Sequence, residues 1–189
     1  MVGAPLLILG GGDRAVNVTA EKQRMLGEAR KAAQLYTRLS GHITTFVCED
    51  GFELRVRWTA ENFAHLCGLE YFADDNRSRR LPGRHLYTDL LSQQRISPRR
   101  VAPTGDARWL SRKADVIASA FDLESVDIVV ESGNSRIRLY LGNTVWCIGV
   151  GYNVTTGLHY PQSLRKGPAL NEMKPGTIPH KVVRLTTES

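Results

Sequence analysis

Two short stretches of this 189-residue sequence concentrate side chains able to move protons or hold phosphate. The first is Phe63-Ala64-His65-Leu66-Cys67-Gly68-Leu69. At 3.6 residues per turn, Phe63, Leu66 and Cys67 share one helix face and His65 is turned off it. An imidazole ionises near neutrality, so His65 beside a cleft is a candidate general acid or base; the alternative is a helix-end histidine bonded to a nearby carbonyl. The second stretch is His159-Tyr160-Pro161-Gln162-Ser163-Leu164-Arg165-Lys166-Gly167. It follows strand-like sequence and reads either as a donor cluster able to hold a phosphate and the charge that builds on it, or as a polar surface loop. Arg55 with Arg57, and Arg136 with Arg138, stand one pleat apart on expected strands, a spacing that lines a nucleic-acid groove or simply faces solvent.

Other chemistries lack their signatures. No H-E-x-x-H, no histidine pair at helical spacing and no dense carboxylate cluster outside turns supports metal catalysis, so the expectation is no metal and no cofactor. Asp74-Asp75 sits among arginines as a charge-balanced loop. Ser-His-Asp catalysis has no G-x-S-x-G. Cys67 and His65, two positions apart on one helix, diverge and make a poor nucleophile–base pair. Gly10-Gly11-Gly12-Asp13 follows an apolar run but has neither G-x-G-x-x-G spacing nor a G-K-[ST] ending. The cysteines Cys48, Cys67 and Cys147 are odd in number and widely spaced, against a disulfide scaffold or zinc finger.

The elements that must position these residues are legible from periodicity. Residues 20–39 place Met25, Ala29, Ala32, Tyr36 and Leu39 at three- and four-residue steps, predicting a helix capped by Thr19 and closed by Gly41. The period then drops to two. Residues 42–48, a Glu49-Asp50-Gly51 turn and residues 52–58 predict a β-hairpin, with Phe52, Leu54, Val56 and Trp58 on its buried face. Thr59 caps a short helix ending at Cys67, and Gly68 suits its left-handed C-terminal position. Residues 73–82 read as an exposed loop. Helices are expected over 83–92 and 106–121, separated by Pro98 and Pro103, the second burying Trp109, Ala114, Ile117 and Phe121. Strands follow over 126–131, 136–141 and 144–152, turned by Gly133-Asn134 and Gly142-Asn143, with a last strand over 181–186. The fold class is α+β: a helix and hairpin, central helices, then an antiparallel β-meander. Residues 1–18 are expected to be a flexible lead-in to a single domain over 19–189, with an Arg-rich central segment over 73–113.

Charge is unevenly spread. The chain has a net charge of +6, with 25 Lys+Arg against 19 Asp+Glu. Residues 1–72 and 114–189 are each neutral, so the whole excess lies in 73–113, where nine of ten basic residues are Arg. Arginine forks onto phosphate oxygens, so this segment points to a polyanion, with a solvated loop as the alternative. No run approaches the roughly 20 apolar residues of a membrane span. The apolar residues 1–9 are too short for a signal peptide and lack a preceding basic run, and the odd, widely spaced cysteines make a reducing cytoplasm the expectation.

The order of these features resembles the phage-associated Barnase/EndoU/colicin/RelE-like nucleases, specifically the fourth family of that series. The resemblance covers roughly residues 22–168. It rests on the hairpin from Phe46 to Trp58, the His-Leu-x-Gly-Leu motif of 65–69, and the Pro-x-Ser-Leu segment of 161–164. It implies a compact ribonuclease-type α+β fold and RNase activity in phage or toxin settings. His65 matches the motif histidine and Ser163 the motif serine. Two features depart from the pattern: Trp146-Cys147-Ile148-Gly149 is unusually apolar, and the Arg-rich 73–80 is particular to this chain.

Together these readings imply a metal-independent endoribonuclease acting through the ribose 2′-hydroxyl. His65 serves as base or acid, Lys166 and Arg165 stabilise the pentavalent phosphate, Ser163 positions a phosphate oxygen, and Tyr160 stacks on a base or orients the phosphate. Arg79, Arg80, Arg99, Arg100, Arg136 and Arg138 supply backbone affinity for a transfer or messenger RNA. The rivals are a non-catalytic nucleic-acid-binding or phage–host module, and a toxin whose basic stretch is covered by an acidic antitoxin or immunity protein. No membrane partner is expected.

Overall fold

The computed structural model describes residues 17–189. The lead-in over 1–18 therefore lies outside the described residues, except for Asn17 and Val18. Asn17 opens helix α1 (Val18–Tyr36), its side-chain oxygen accepting from the Thr19 and Ala20 amides at 3.0 and 3.3 Å. The cap is thus Asn17 rather than Thr19, because it sits where its carbonyl oxygen meets the first free N–H groups. Met25, Ala29, Ala32 and Tyr36 form the expected buried stripe.

The hairpin β1 (Ile43–Cys48) and β2 (Glu53–Arg57) alternates as predicted, burying Phe46, Leu54 and Val56. Just beyond it, the buried Trp58 indole donates to Thr44 Oγ1 at 3.1 Å, so two buried polar groups satisfy each other. Helix α2 (Ala60–Cys67) ends at Gly68, whose φ of 71° is the left-handed conformation favoured by glycine. A Cβ there would also come within 2.4 Å of the Trp109 ring. Strands β3 (Leu69–Phe72), β4 (Arg80–Leu81) and β5 (Val101–Pro103) make a small sheet in the order β4-β3-β5, with helix α3 (Gly83–Leu91) between β4 and β5 in the chain.

Helix α4 (Ala107–Ala114) is shorter than the expected 106–121; turns and a 3₁₀ segment, Ser119–Phe121, complete that stretch. Its buried residues are Leu110, Lys113 and Ala114, while Trp109 is half-buried rather than core. The Trp109 ring lies over the Lys113 ammonium at 4.2 Å and walls it from solvent.

Strands β6 (Ile128–Glu131), β7 (Leu139–Gly142), β8 (Trp146–Asn153), β9 (Leu158–Lys166) and β10 (His180–Glu188) complete the molecule. They do not form a simple meander. The sheet is a closed barrel in the order β1-β10-β6-β7-β8-β9-β2. β10 joins β1 to β6, and β2 meets β9 in parallel at Val56 and His159, so hairpin and meander close on each other. Two local expectations change as well. The 159–167 stretch lies almost wholly in β9 instead of forming a loop. Arg136 and Arg138 precede β7 and are not on a strand: Asn134 Oδ1 accepts from the Arg136 amide at 2.8 Å, and this turn delays pairing with β6 until Leu139.

The helices meet the barrel through aromatic rings. Tyr36 packs against Phe121, Phe63, Tyr87 and Trp58 at centroid distances of 4.8 to 6.1 Å. Its hydroxyl donates to the Thr59 carbonyl at 2.9 Å. No helix among the described residues is long and apolar enough to cross a membrane.

Candidate active site at the barrel mouth

At one rim of the barrel β2, β7, β9 and β10 begin while β1, β6 and β8 end. A cleft of about 840 Å³ opens there, and its walls include His159, His180, Arg136, Arg138, Tyr152 and Tyr160. Barrel mouths are recurrent ligand sites, because strand ends supply converging side chains on a rigid frame.

His180 is the first residue of β10. Its Nδ1–H donates to Asp50 Oδ2 at 2.7 Å, and its ring stacks on Phe52 with centroids 4.1 Å apart. Asp50, in the β1–β2 turn, also accepts from the Phe52 amide at 3.1 Å. The hydrogen bonds from His180 and then Phe52 hold its carboxyl below the usual value. Because Nδ1 is engaged, Nε2 is the nitrogen left for chemistry.

His159 is half-buried on β9, its ring 5.0 Å from that of Tyr152 on β8. Burial lowers its pKa, the backbone at Arg55 opposes the shift by hydrogen bonding, and the Arg138 charge adds to it. The neutral imidazole is favoured, which is the form that accepts a proton. Arg136 and Arg138 are exposed, and their guanidinium groups make no hydrogen bond or ion pair among the described residues. On the floor, a Cβ on Gly151 would come within 2.6 Å of the Tyr160 ring and 2.8 Å of Gln162 Oε1. Gln162 Oε1 is buried with no hydrogen-bond partner among the described residues, an acceptor left facing crowded ground.

Of the residues singled out from the sequence as catalytic, only Tyr160 lines this cleft. His65 is exposed on α2, where packing against part of its ring and then the Lys113 and Arg80 charges lower its pKa. Ser163 is half-buried on β9 opposite Gly149. Arg165 is paired with Glu172 at 2.6 Å and lies over the Tyr140 ring at 5.5 Å. Lys166 is paired with Asp115 at 2.7 Å. Arg165 and Lys166 are thus already bound to carboxylates.

The Arg-rich segment divides in the same way. Arg80 pairs with Glu70 at 3.0 Å, and Arg100 donates to the Phe72 carbonyl at 3.0 Å while covering the Tyr71 ring at 4.7 Å. Arg79 and Arg99 are exposed, with guanidinium groups that make no ion pair among the described residues. Arg136 and Arg138 line the mouth, away from a strand but at the cleft. Sequence reasoning passed over His180, Asp50 and Tyr152. His180 and Asp50 are 130 residues apart and carry no local motif.

Lys113 is a second unusual group. It is 2% exposed, donates to the Leu66 carbonyl at 3.1 Å and has no carboxylate partner among the described residues; burial lowers its pKa to about 7. Among the described residues no group of three or more His, Cys, Asp or Glu side chains is placed to hold a metal ion.

No curated protein and no solved structure matches the chain. A family model, described as phage-Barnase-EndoU-ColicinE5/D-RelE like nuclease4, matches residues 30–151. The match takes in His65, the Arg-rich segment, Arg136 and Arg138, and ends before β9 and β10. Extending over well more than half of the sequence, it agrees with the resemblance read from the motifs, and the chain belongs to the phage-Barnase-EndoU-ColicinE5/D-RelE like nuclease4 family.

Proposed function

We propose that the chain is a metal-independent endoribonuclease whose reaction takes place at the barrel mouth. The observation that carries this reading is a pair of histidines in one cleft with opposite surroundings: His159, whose burial favours the neutral ring, and His180, whose Nδ1–H is bound to a carboxylate. Such a pair divides base and acid work between two otherwise identical side chains. His159 takes the proton of a ribose 2′-hydroxyl, and the 2′-oxygen attacks the adjacent phosphorus. The P–O5′ bond breaks, and His180 Nε2–H protonates the departing 5′-oxygen. The products are a 2′,3′-cyclic phosphate and a 5′-hydroxyl. Arg136 and Arg138 face the charge that develops on the phosphoryl oxygens, and Tyr152 and Tyr160 offer ring faces for bases.

A second reading keeps the reaction at His65. It is favoured by His65 lying within the family-matched segment, exposed beside Arg80. In that reading the barrel mouth binds RNA and the helical face cleaves it.

Incubation of the full chain with total RNA in EDTA tests the proposal. Cleavage leaving 2′,3′-cyclic phosphate ends is expected. A strict magnesium requirement, or salt-sensitive RNA binding with no cleavage, would overturn it.

A further inference from the structure

The barrel closes on β10 only near the beginning of that strand. β6 meets His180 and Lys181, and the Val182 amide donates to the Asp127 carbonyl at 2.9 Å. Beyond Val182 every ladder partner of β10 lies on β1, from Val47 opposite Arg184 to Ile43 opposite Glu188. The pleat then decides where each peptide group points. Cys48 gives its amide to the Phe52 carbonyl, on the β2 side, at 2.9 Å. Val47, Thr45 and Ile43 therefore turn theirs to β10, where they meet Arg184, Thr186 and Glu188. Leu185 and Thr187 must turn their N–H and C=O groups to the opposite edge. Among the described residues no strand lies beside that edge, and no backbone hydrogen bond joins Leu185 or Thr187 to an element other than β1. The stretch is open to solvent: Val183 is 58% exposed, and Arg184, Thr186, Thr187 and Glu188 are exposed as well. No proline or lysine stands between Val183 and Glu188 to blunt it.

We infer that this edge is an interface with a second copy of the chain, β10 pairing antiparallel with β10 of the other copy about a twofold axis at Thr186. The edge is complementary to itself in that register. Leu185 stands opposite Thr187 of the second copy, and the two exchange both N–H···O=C bonds, which satisfies the peptide groups left open in the monomer. Arg184 stands opposite Glu188 on the outer face, in the closely spaced kind of pair where opposite charges attract. Arg184 has no ion pair among the described residues. Glu188 touches Arg55 at 3.3 Å through one carboxylate oxygen, which leaves the other for Arg184. An axis at Leu185 would instead set Glu188 against Val182, whose amide is already given to Asp127. Twofold symmetry repeats each pair, so one strand edge supplies two ion pairs and a closed set of backbone bonds. The cleft lies at the other end of β10, at His180, and both copies keep it open.

Sedimentation equilibrium of the full chain from about 10 μM to about 1 mM tests the interface, a range suited to a small, transient contact. A monomer–dimer equilibrium is expected, with amide exchange at Leu185 and Thr187 slowing as concentration rises. Thr186→Lys sets two ammonium groups against each other across the axis and should weaken the dimer about tenfold or more. Arg184→Glu and Glu188→Arg should each weaken it about tenfold, since each brings like charges together. An equimolar mixture of these two variants should recover wild-type affinity as a heterodimer, because every opposed pair is then Glu with Arg. All three side chains are exposed on the outer face, so the fold is kept. A monomer at every concentration, a dimer indifferent to Thr186→Lys, or a mixture no tighter than its components would overturn the inference. Slow exchange at Leu185 and Thr187 at every concentration would also overturn it, showing the edge covered within one chain, as by its own apolar residues 1–9.

Discussion

The imidazole of His180 lies 2.7 Å from the Asp50 carboxylate, joining the first residue of the last strand to the first hairpin turn. The contact fixes the ring on Phe52 and directs Nε2 away from the carboxylate. It also lowers the Asp50 pKa, so the ionised carboxylate is the form bound in the folded chain.

His180→Ala should release the Asp50 carboxyl upward toward the ordinary carboxylate value, as followed by its side-chain NMR titration. A folded pKa held below the unfolded one contributes stability above the unfolded value and loses it as pH falls through the folded value. That acid-side contribution should shrink in the variant. An unchanged Asp50 titration would show that the contact is not maintained in solution.

Replacing Arg136 and Arg138 together with Ala should weaken single-stranded RNA binding and flatten its salt dependence by about 0.7 per lost phosphate contact in the log–log plot. The same measurement separates the arginines of 73–113. Arg79→Ala with Arg99→Ala should also flatten the slope, since neither guanidinium is held by a carboxylate.

Arg100→Ala should act on the fold instead. Its charged hydrogen bond to the Phe72 carbonyl and its cover over Tyr71 predict a loss of about 2 kcal/mol in denaturant unfolding. A stability equal to wild type would mark Arg100 as a surface residue available to RNA.

Lys113 predicts a pH dependence of the opposite sign from a salt-bridged lysine. With the folded pKa lowered to about 7, the unfolded chain holds more protons than the folded one from there up to the ordinary value of 10.5. Stability should therefore rise with pH across that window, by at most about 1.4 kcal/mol per pH unit, and stay flat with respect to this group below it. Lys113→Met, similar in length and uncharged, should remove the rise and stabilise the chain near neutrality. Urea unfolding at pH 7 and pH 9 decides it.

Local order was readable where local physics decides. The alternation of Phe52, Leu54, Val56 and Trp58, the stripe from Met25 to Tyr36 and the left-handed Gly68 all appear as the spacing implies. Barrel closure was not readable, because β10 finds β1 and β6 through pairings more than 50 residues distant, set by mutual burial rather than by any turn. Asn134 delays the strand expected to begin at Arg136 until Leu139 by taking the Arg136 amide into a turn, a side-chain choice that periodicity does not register. The site divides likewise. Tyr160, Arg136 and Arg138 were marked by type and spacing, and His159 stood in a conspicuous cluster. His180 and Asp50 had no signal, since only the closed barrel brings them together.

The most direct test of a barrel-mouth active centre is the cleavage rate of one RNA by wild type, His159→Ala and His65→Ala at neutral pH in EDTA. Loss of a general base at the mouth predicts a fall of about two to four decades for His159→Ala, with His65→Ala within a few-fold of wild type. Wild-type cleavage by His159→Ala together with a comparable collapse in His65→Ala would contradict the barrel-mouth site and place the chemistry on α2.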